Sequence, residues 1–286
     1  NLIDWSIKFD KLGESGLEQI LEDQFNEANN KFSLFIKKNY RNWLEMNVDE
    51  RPLFSPEIVR QHIKPKLENN EKTIFIVIDC LRYDQWISIR ELLYPYFTIK
   101  TDPYLSILPT ATPFSRNAIF AGLYPDAIQN KYPEKWREMF QDEHSMNRFE
   151  SHFLKEQISR LGFNNKSVNY VKIVSSDDGS KFMSRIKEYR KVDLLAVVIN
   201  FVDILGHTRS ESKFLKEIVP NESAYRNAVI SWAENGWLIE MLKEINHWGH
   251  KVVITSDHGT VRVDKPARVK ADRGASTGIR YKYGRN

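Results

Sequence analysis

The chain has 286 residues, with 42 Lys+Arg against 38 Asp+Glu and a formal charge of +4, so neither a membrane-embedded nor a strongly nucleic-acid-like composition applies. Hydrophobic residues make up 41% and charged residues 28%, which excludes a disordered chain, and no apolar run approaches the roughly 18 residues of a membrane helix. The single cysteine, Cys80, excludes an internal disulfide framework and a thiolate zinc site, and the N-terminus lacks a signal-peptide pattern, so the chain reads as cytoplasmic.

In chain order, Ser15 to Met46 carries apolar residues three and four apart, from Leu17, Ile20 and Leu21 to Tyr40, Trp43 and Leu44. That spacing predicts an amphipathic helix, acidic early and basic late as the helix dipole favours. Such a helix either packs on the domain C-terminal to it or serves as a coupling or homodimerisation element. Arg51-Pro52 and Ser55-Pro56 mark a break, and Pro56–Leu67 reads as a shorter helix. Residues 1–68 are therefore expected to form a helical connector ahead of a larger domain at 69–286.

In that domain the apolar runs Thr73–Ile78, Val192–Phe201 and Lys251–Thr255 read as strands, with Val168–Val174 as a fourth. Helical patterns lie between them at Thr112–Ala121, His152–Leu161, Gly179–Tyr189 and Tyr225–Ile245. Continuous apolar strands alternating with helices predict an α/β fold, a mostly parallel sheet with helices on both faces. Pro133–Phe149 is polar and aromatic and fits no element.

Each of three strands leads to an aspartate: Asp79, Asp203 and Asp257. Ligands of open α/β sheets bind beyond the carboxyl ends of the strands. Two of these aspartates bring a histidine, His207 four residues after Asp203 and His258 directly after Asp257, with Gly206 allowing the chain to turn. Singly, each is an ordinary turn or cap residue. Together, three carboxylates at one edge repel one another unless a cation lies between them, and a carboxylate–imidazole set suits zinc or manganese.

Between the first two aspartates, Thr112 precedes Pro113 at the start of a helix that Gly122 closes. Either Thr112 only caps that helix, or its hydroxyl sits among free N–H groups where a phosphate would bind. Beside a divalent ion, that hydroxyl would become a nucleophile.

The segment Pro109-Thr110-Ala111-Thr112, a helix, then Gly122-Leu123-Tyr124-Pro125, resembles the nucleophile segment of the alkaline phosphatase superfamily. With Asp79, Asp203-x-x-Gly206-His207 and Asp257-His258, the chain from about Thr73 to Asn286 is most similar to the PglZ domain, the output half of response regulators tied to type IX secretion. The resemblance implies a phosphodiesterase or phosphatase with two zinc ions and nucleophile Thr112 rather than Thr110. One zinc would be held by Asp79, Thr112, Asp257 and His258, the other by Asp203, His207 and a third histidine. Thr112 would form a phospho-threonine that water then hydrolyses. In the family the third histidine comes from a late His-Gly-Gly segment; no His follows His258 here, so the second site lacks that ligand and the domain reads as truncated.

The same resemblance implies a receiver domain ahead of the helical region, cyclic or linear oligonucleotides as substrates, and a secretion-system or sigma-factor partner. Arg82, Arg116 and Asn117 are expected near the pocket, and Arg268, Lys270, Arg273, Arg280, Lys282 and Arg285, interleaved with Tyr281 and Tyr283, form a basic rim or a solvated loop. Arg116, Asn117, Arg273 and Arg280 are the substrate-binding candidates. The alternative function is a non-catalytic regulatory module that keeps the metal scaffold and acts through dimerisation and partners.

Overall fold

The computed structural model describes residues 2–12, 18–141, 146–260, 267, 268 and 270. Helices α1 (Leu2–Leu12) and α2 (Glu18–Glu45) come first, and Val48–Glu50 and Ser55–Glu57 are short 3-10 turns. A π-helical turn, Val59–Ile63, runs into α3 (Lys64–Glu68), then β1 (Thr73–Ile78) and α4 (Tyr83–Leu93). Next come α5 (Thr112–Ala121), α6 (Pro125–Lys131), α7 (Pro133–Met139), α8 (Glu150–Arg160), β2 (Val168–Ile173) and α9 (Ser176–Ser184). The 3-10 segment Ile186–Lys191 precedes β3 (Leu194–Ile199), α10 (Phe201–Glu211) and α11 (Lys213–Ile218). The series ends with α12 (Glu222–Asn235), α13 (Trp237–His247) and β4 (Lys251–Thr255).

The four strands form one parallel sheet in the order β2-β3-β1-β4. The two central strands, Thr-Ile-Phe-Ile-Val-Ile and Leu-Leu-Ala-Val-Val-Ile, are buried at every position, which is why they read as continuous apolar runs. Their side chains alternate between two cores. Ile74, Ile76 and Ile78 join Val197, Val229, Met241 and Leu242 on one face, while Phe75 and Val77 join Val198, Phe120, Phe153 and Leu154 on the other. Helices on both faces are as the sequence predicts.

Several boundaries differ, each for a local reason. Pro56–Leu67 is not one α-helix but a 3-10 turn, a π turn and α3 in succession. Tyr225–Ile245 is two helices, broken at Gly236, whose backbone is extended. The Gly179–Tyr189 helix starts earlier because Ser175 and Asp178 form a capping box, and it gives way to a 3-10 segment. Helices α4, α6, α7, α10 and α11 have no counterpart in the sequence reading. At the end of α5, Gly122 adopts φ 60, as a helix-closing glycine should. The amide of Gln157 packs against it and, oriented to donate, reaches the carbonyls of Ile119 and Phe120 at 3.1 and 2.9 Å.

The N-terminal helices dock on this frame. Tyr40 and Trp43 of α2 pack on Phe54, and the Leu108 N–H donates to the Tyr40 hydroxyl at 2.9 Å. Elsewhere α2 exposes Ile20, Phe32, Leu34 and Phe35. Helix α1 is tied through Asp10 to Arg226 of α12, which also donates to Asp84 of α4 at 2.7 Å. Arg82 in turn donates to Asp84 and Glu222, and Arg209 donates to Glu222 at 2.9 Å. Burial alone would raise the Asp84 carboxyl, but Arg82 and Arg226 hold it below the usual carboxylate range. A depressed folded-state value contributes stability above the unfolded value of about 3.9, which is lost as pH falls through the folded one. Asp84→Asn should therefore lower stability at neutral pH and flatten the decline below about pH 4; urea titrations from pH 3 to 7 measure both. No helix among the described residues is long and apolar enough to cross a membrane.

Candidate metal and phosphoryl-transfer site

The sheet's register builds the site. The Asp79 N–H donates to Ile199 O at 2.9 Å, one step beyond the β1–β3 ladder. In the β1–β4 ladder Val77 pairs with Thr255, so continuing the register brings Asp79 level with Asp257. The chain turns sharply after Asp79, because Cys80 takes φ 65, a left-handed conformation uncommon outside glycine. That turn aims the Cys80 N–H at Asp257 Oδ1, 3.2 Å away, and the His258 N–H reaches the same oxygen at 3.0 Å. The Ser106 hydroxyl donates to Asp257 O at 2.7 Å and the Tyr104 hydroxyl to Ser256 O, fixing the loop after β4.

Thr112 is the first residue of α5, with Ala111 as the cap and Pro113 in the first turn, one position from the sequence expectation. Its hydroxyl lies 3.3 Å from Asp79 Oδ1 and 2.8 Å from His258 Nε2. His258 Nδ1 lies 3.1 Å from Gly259 O. A carbonyl only accepts, so Nδ1 carries the ring proton and Nε2 presents a lone pair toward Thr112. Asp79, Asp257 and His258 offer ligand atoms within 4.8 Å of one another, the one such group among the described residues.

The electrostatics fit a cation. Asp257 Oδ2 is buried with no hydrogen-bond partner. Burial and the neighbouring Asp257 push the Asp79 carboxyl up to about 6, against the pull of Arg116 and His258. Three buried carboxylates, Asp79, Asp257 and Glu150, face a single buried guanidinium, Arg116, leaving a formal deficit of two positive charges. One divalent ion would cancel that deficit and satisfy Asp257 Oδ2. The donor set of carboxylates and an imidazole suits zinc.

Asp203 and His207 are not at a strand end. β3 stops at Ile199, Asn200 caps the next helix, and both residues lie on α10, with His207 Nε2 3.5 Å from Asp203 Oδ1. Gly206 therefore does not turn the chain. It lies inside the helix, where a Cβ would sit 3.1 Å from the Tyr225 hydroxyl. The His207 side chain is 73% exposed. Burial first, then the charge of Asp79, raises the Asp203 carboxyl, so the α10 pair shares the field of the Asp79 cluster without joining its close group.

Two substrate-binding expectations need correction. Arg116 and Asn117 are buried beneath the site, because the face of α5 that carries them turns toward the sheet. Asn117 donates to Pro113 O and Met146 O at 2.8 and 3.0 Å. Arg116 commits its fork to Asp79 and Glu150. Arg82 is likewise taken up, by Asp84 and Glu222. Arg273 and Arg280 lie outside the described residues, as do Tyr281, Lys282, Tyr283 and Arg285.

Sequence reasoning missed Glu150, Asn147 and Tyr170. The Asn147 amide donates to Thr112 O at 3.1 Å and to Glu150 Oε1 at 2.7 Å, and the Tyr170 hydroxyl donates to Glu150 Oε2. Glu150 follows the stretch that fitted no element, and only the tertiary fold brings it to Arg116.

Two family models match the chain. The BREX system PglZ alkaline phosphatase-like domain matches residues 58–283, and the PorX response regulator linker domain matches residues 1–44. No curated protein matches it.

Proposed function

Because the chain belongs to the PglZ alkaline phosphatase-like family, we propose that it is a zinc-dependent phosphodiesterase or phosphatase with Thr112 as nucleophile. The observation that carries this reading is the Thr112 hydroxyl at the start of α5, within hydrogen-bond reach of both Asp79 and His258. Asp79, Thr112, Asp257 and His258 would hold one ion, and Asp203 and His207 would contribute to a second. Bound there, zinc would polarise the phosphoryl group and stabilise charge on the departing oxygen.

The chain's own residues supply the rest. The Nδ1–Gly259 hydrogen bond leaves His258 Nε2 as the ligand atom, and the Thr112 hydroxyl would release its proton to solvent once it bound the ion. Thr112 Oγ1 then attacks phosphorus, the ester oxygen leaves, and water cleaves the phospho-threonine. The positive end of the α5 dipole would stabilise charge on the phosphoryl oxygens, while Pro113 has no N–H and those of Phe114 and Ser115 donate to Ala111 O.

The linker match at residues 1–44 supports a response-regulator setting, in which the enzyme would serve as output domain behind a receiver. We place it in type IX secretion, in the cytoplasm, acting on cyclic or linear oligonucleotides, with a homodimer and a secretion-system or sigma-factor partner as further parts of this reading.

Purified protein should carry zinc by elemental analysis and hydrolyse bis-p-nitrophenyl phosphate; chelation should abolish turnover and zinc restore it. Asp257→Asn should weaken metal binding by more than about 100-fold, beyond the usual effect of an outer-shell change. Metal without turnover would favour the non-catalytic regulatory module, and no metal at all would overturn the enzyme reading.

A further inference from the structure

We infer that Arg116 is a positioning residue that, locked in place by Glu150 and Tyr170, sets which oxygen of Asp79 faces the metal and holds the nucleophile's helix in register with it. The inference rests on the metal reading above and extends it beneath the ligands themselves.

Arg116 is 1% exposed, and among the described residues it is the largest fully buried side chain. A guanidinium in such a place needs a defined purpose, since desolvating a charge costs several kcal/mol unless it is paired and hydrogen-bonded. Burial would lower its pKa, but Glu150, Asp79 and Asp257 more than offset that and keep it charged. One end of its fork donates to Asp79 Oδ2 at 2.5 Å and another nitrogen to Glu150 Oε1 at 2.5 Å. With Oδ2 claimed, Asp79 presents Oδ1 to Thr112 and His258, at 3.3 and 3.8 Å.

Thr112 and Arg116 lie one helical turn apart on α5, so the bond to Asp79 also fixes the distance between nucleophile and β1. Asn147 closes the loop by joining the Thr112 carbonyl to Glu150. Tyr170 of β2 is the outermost member: its ring meets Phe120 of α5 edge-on, and its hydroxyl takes the remaining oxygen of Glu150. Arg116 and Glu150 are buried, and the Tyr170 hydroxyl is bound to Glu150, so their effect must pass through Asp79 and Thr112.

The test titrates the full chain with Zn²⁺ and Co²⁺ in competition with a chromogenic chelator, using Arg116→Lys, Tyr170→Phe and, as a control on the opposite core, Met241→Ala. Arg116→Lys keeps the charge but loses the two-ended fork, and should weaken metal binding by about 10–100-fold and alter the visible Co²⁺ absorption. Tyr170→Phe, which leaves every ligand and Arg116 intact, should shift both readouts the same way by less. Met241→Ala should lower the melting temperature and move neither.

Wild-type affinity and spectrum in Arg116→Lys and Tyr170→Phe would overturn the positioning role, as would an equal loss in Met241→Ala. If Arg116→Lys does not fold, Tyr170→Phe decides alone. A wild-type chain that binds no divalent cation would instead overturn the metal reading itself.

Discussion

Replacing Thr112 with alanine should cut phosphodiester hydrolysis by at least about 10³-fold while the protein stays folded, since loss of a covalent nucleophile typically costs that much or more. The removed hydroxyl lies between Asp79 Oδ1 and His258 Nε2, and the Asn147 bond to the Thr112 carbonyl survives the change. Thr112→Ser restores an oxygen at the same place and should recover part of the rate. Steady-state assays with bis-p-nitrophenyl phosphate, beside circular dichroism and zinc content, separate the outcomes. Turnover intact in Thr112→Ala would end the nucleophile assignment.

Arg116→Met should be the most damaging single change to stability, at about 3–5 kcal/mol, because it strands two buried carboxylates without their counter-charge. Methionine approximates the length of the aliphatic stem, so a cavity contributes little and the loss reports the charge. Urea unfolding monitored by tryptophan fluorescence measures it. A loss below about 1 kcal/mol, the range of exposed pairs, would show that water already screens the cluster. Saturating Zn²⁺ should enlarge the deficit if the ion binds the folded state of the wild type more tightly.

The architecture was open to reading where burial is two-sided. β1 and β3 are buried at every position, and apolar at all but Thr73, because helices cover both faces, and that pattern survives in one sequence without any relatives. Helix α10 was hidden because Asp203, Gly206 and His207 interrupt its apolar rhythm, and a glycine a few residues past a strand reads as a turn until Tyr225 is seen against it. The Asp79, Asp257 and His258 cluster was foreshadowed by strand-end chemistry, whereas Thr112 was singled out by its place before Pro113 at a helix start. Arg116 was misplaced for a different reason: its four-residue spacing from Thr112 says they share a face, but not that the face points into the sheet. The roles of Glu150 and Tyr170 carry no local signal, since Arg116 lies 34 residues before Glu150 and Tyr170 lies 20 residues after it.

The strand order has a consequence for biogenesis. β1 lies between β3 and β4, yet β4 is made last of the four, and the Cys80–Asp257 bond that joins their ends spans 177 residues. At translation rates of about 5–20 residues per second, one side of this buried, mostly apolar strand waits roughly 9–35 s for its neighbour. During that interval the nascent chain presents an unpaired β edge to any chaperone or aggregating chain. The acidic cluster likewise has no Asp257 or His258 until then, so a ribosome-bound chain lacks the cation-binding group until β4 is in place.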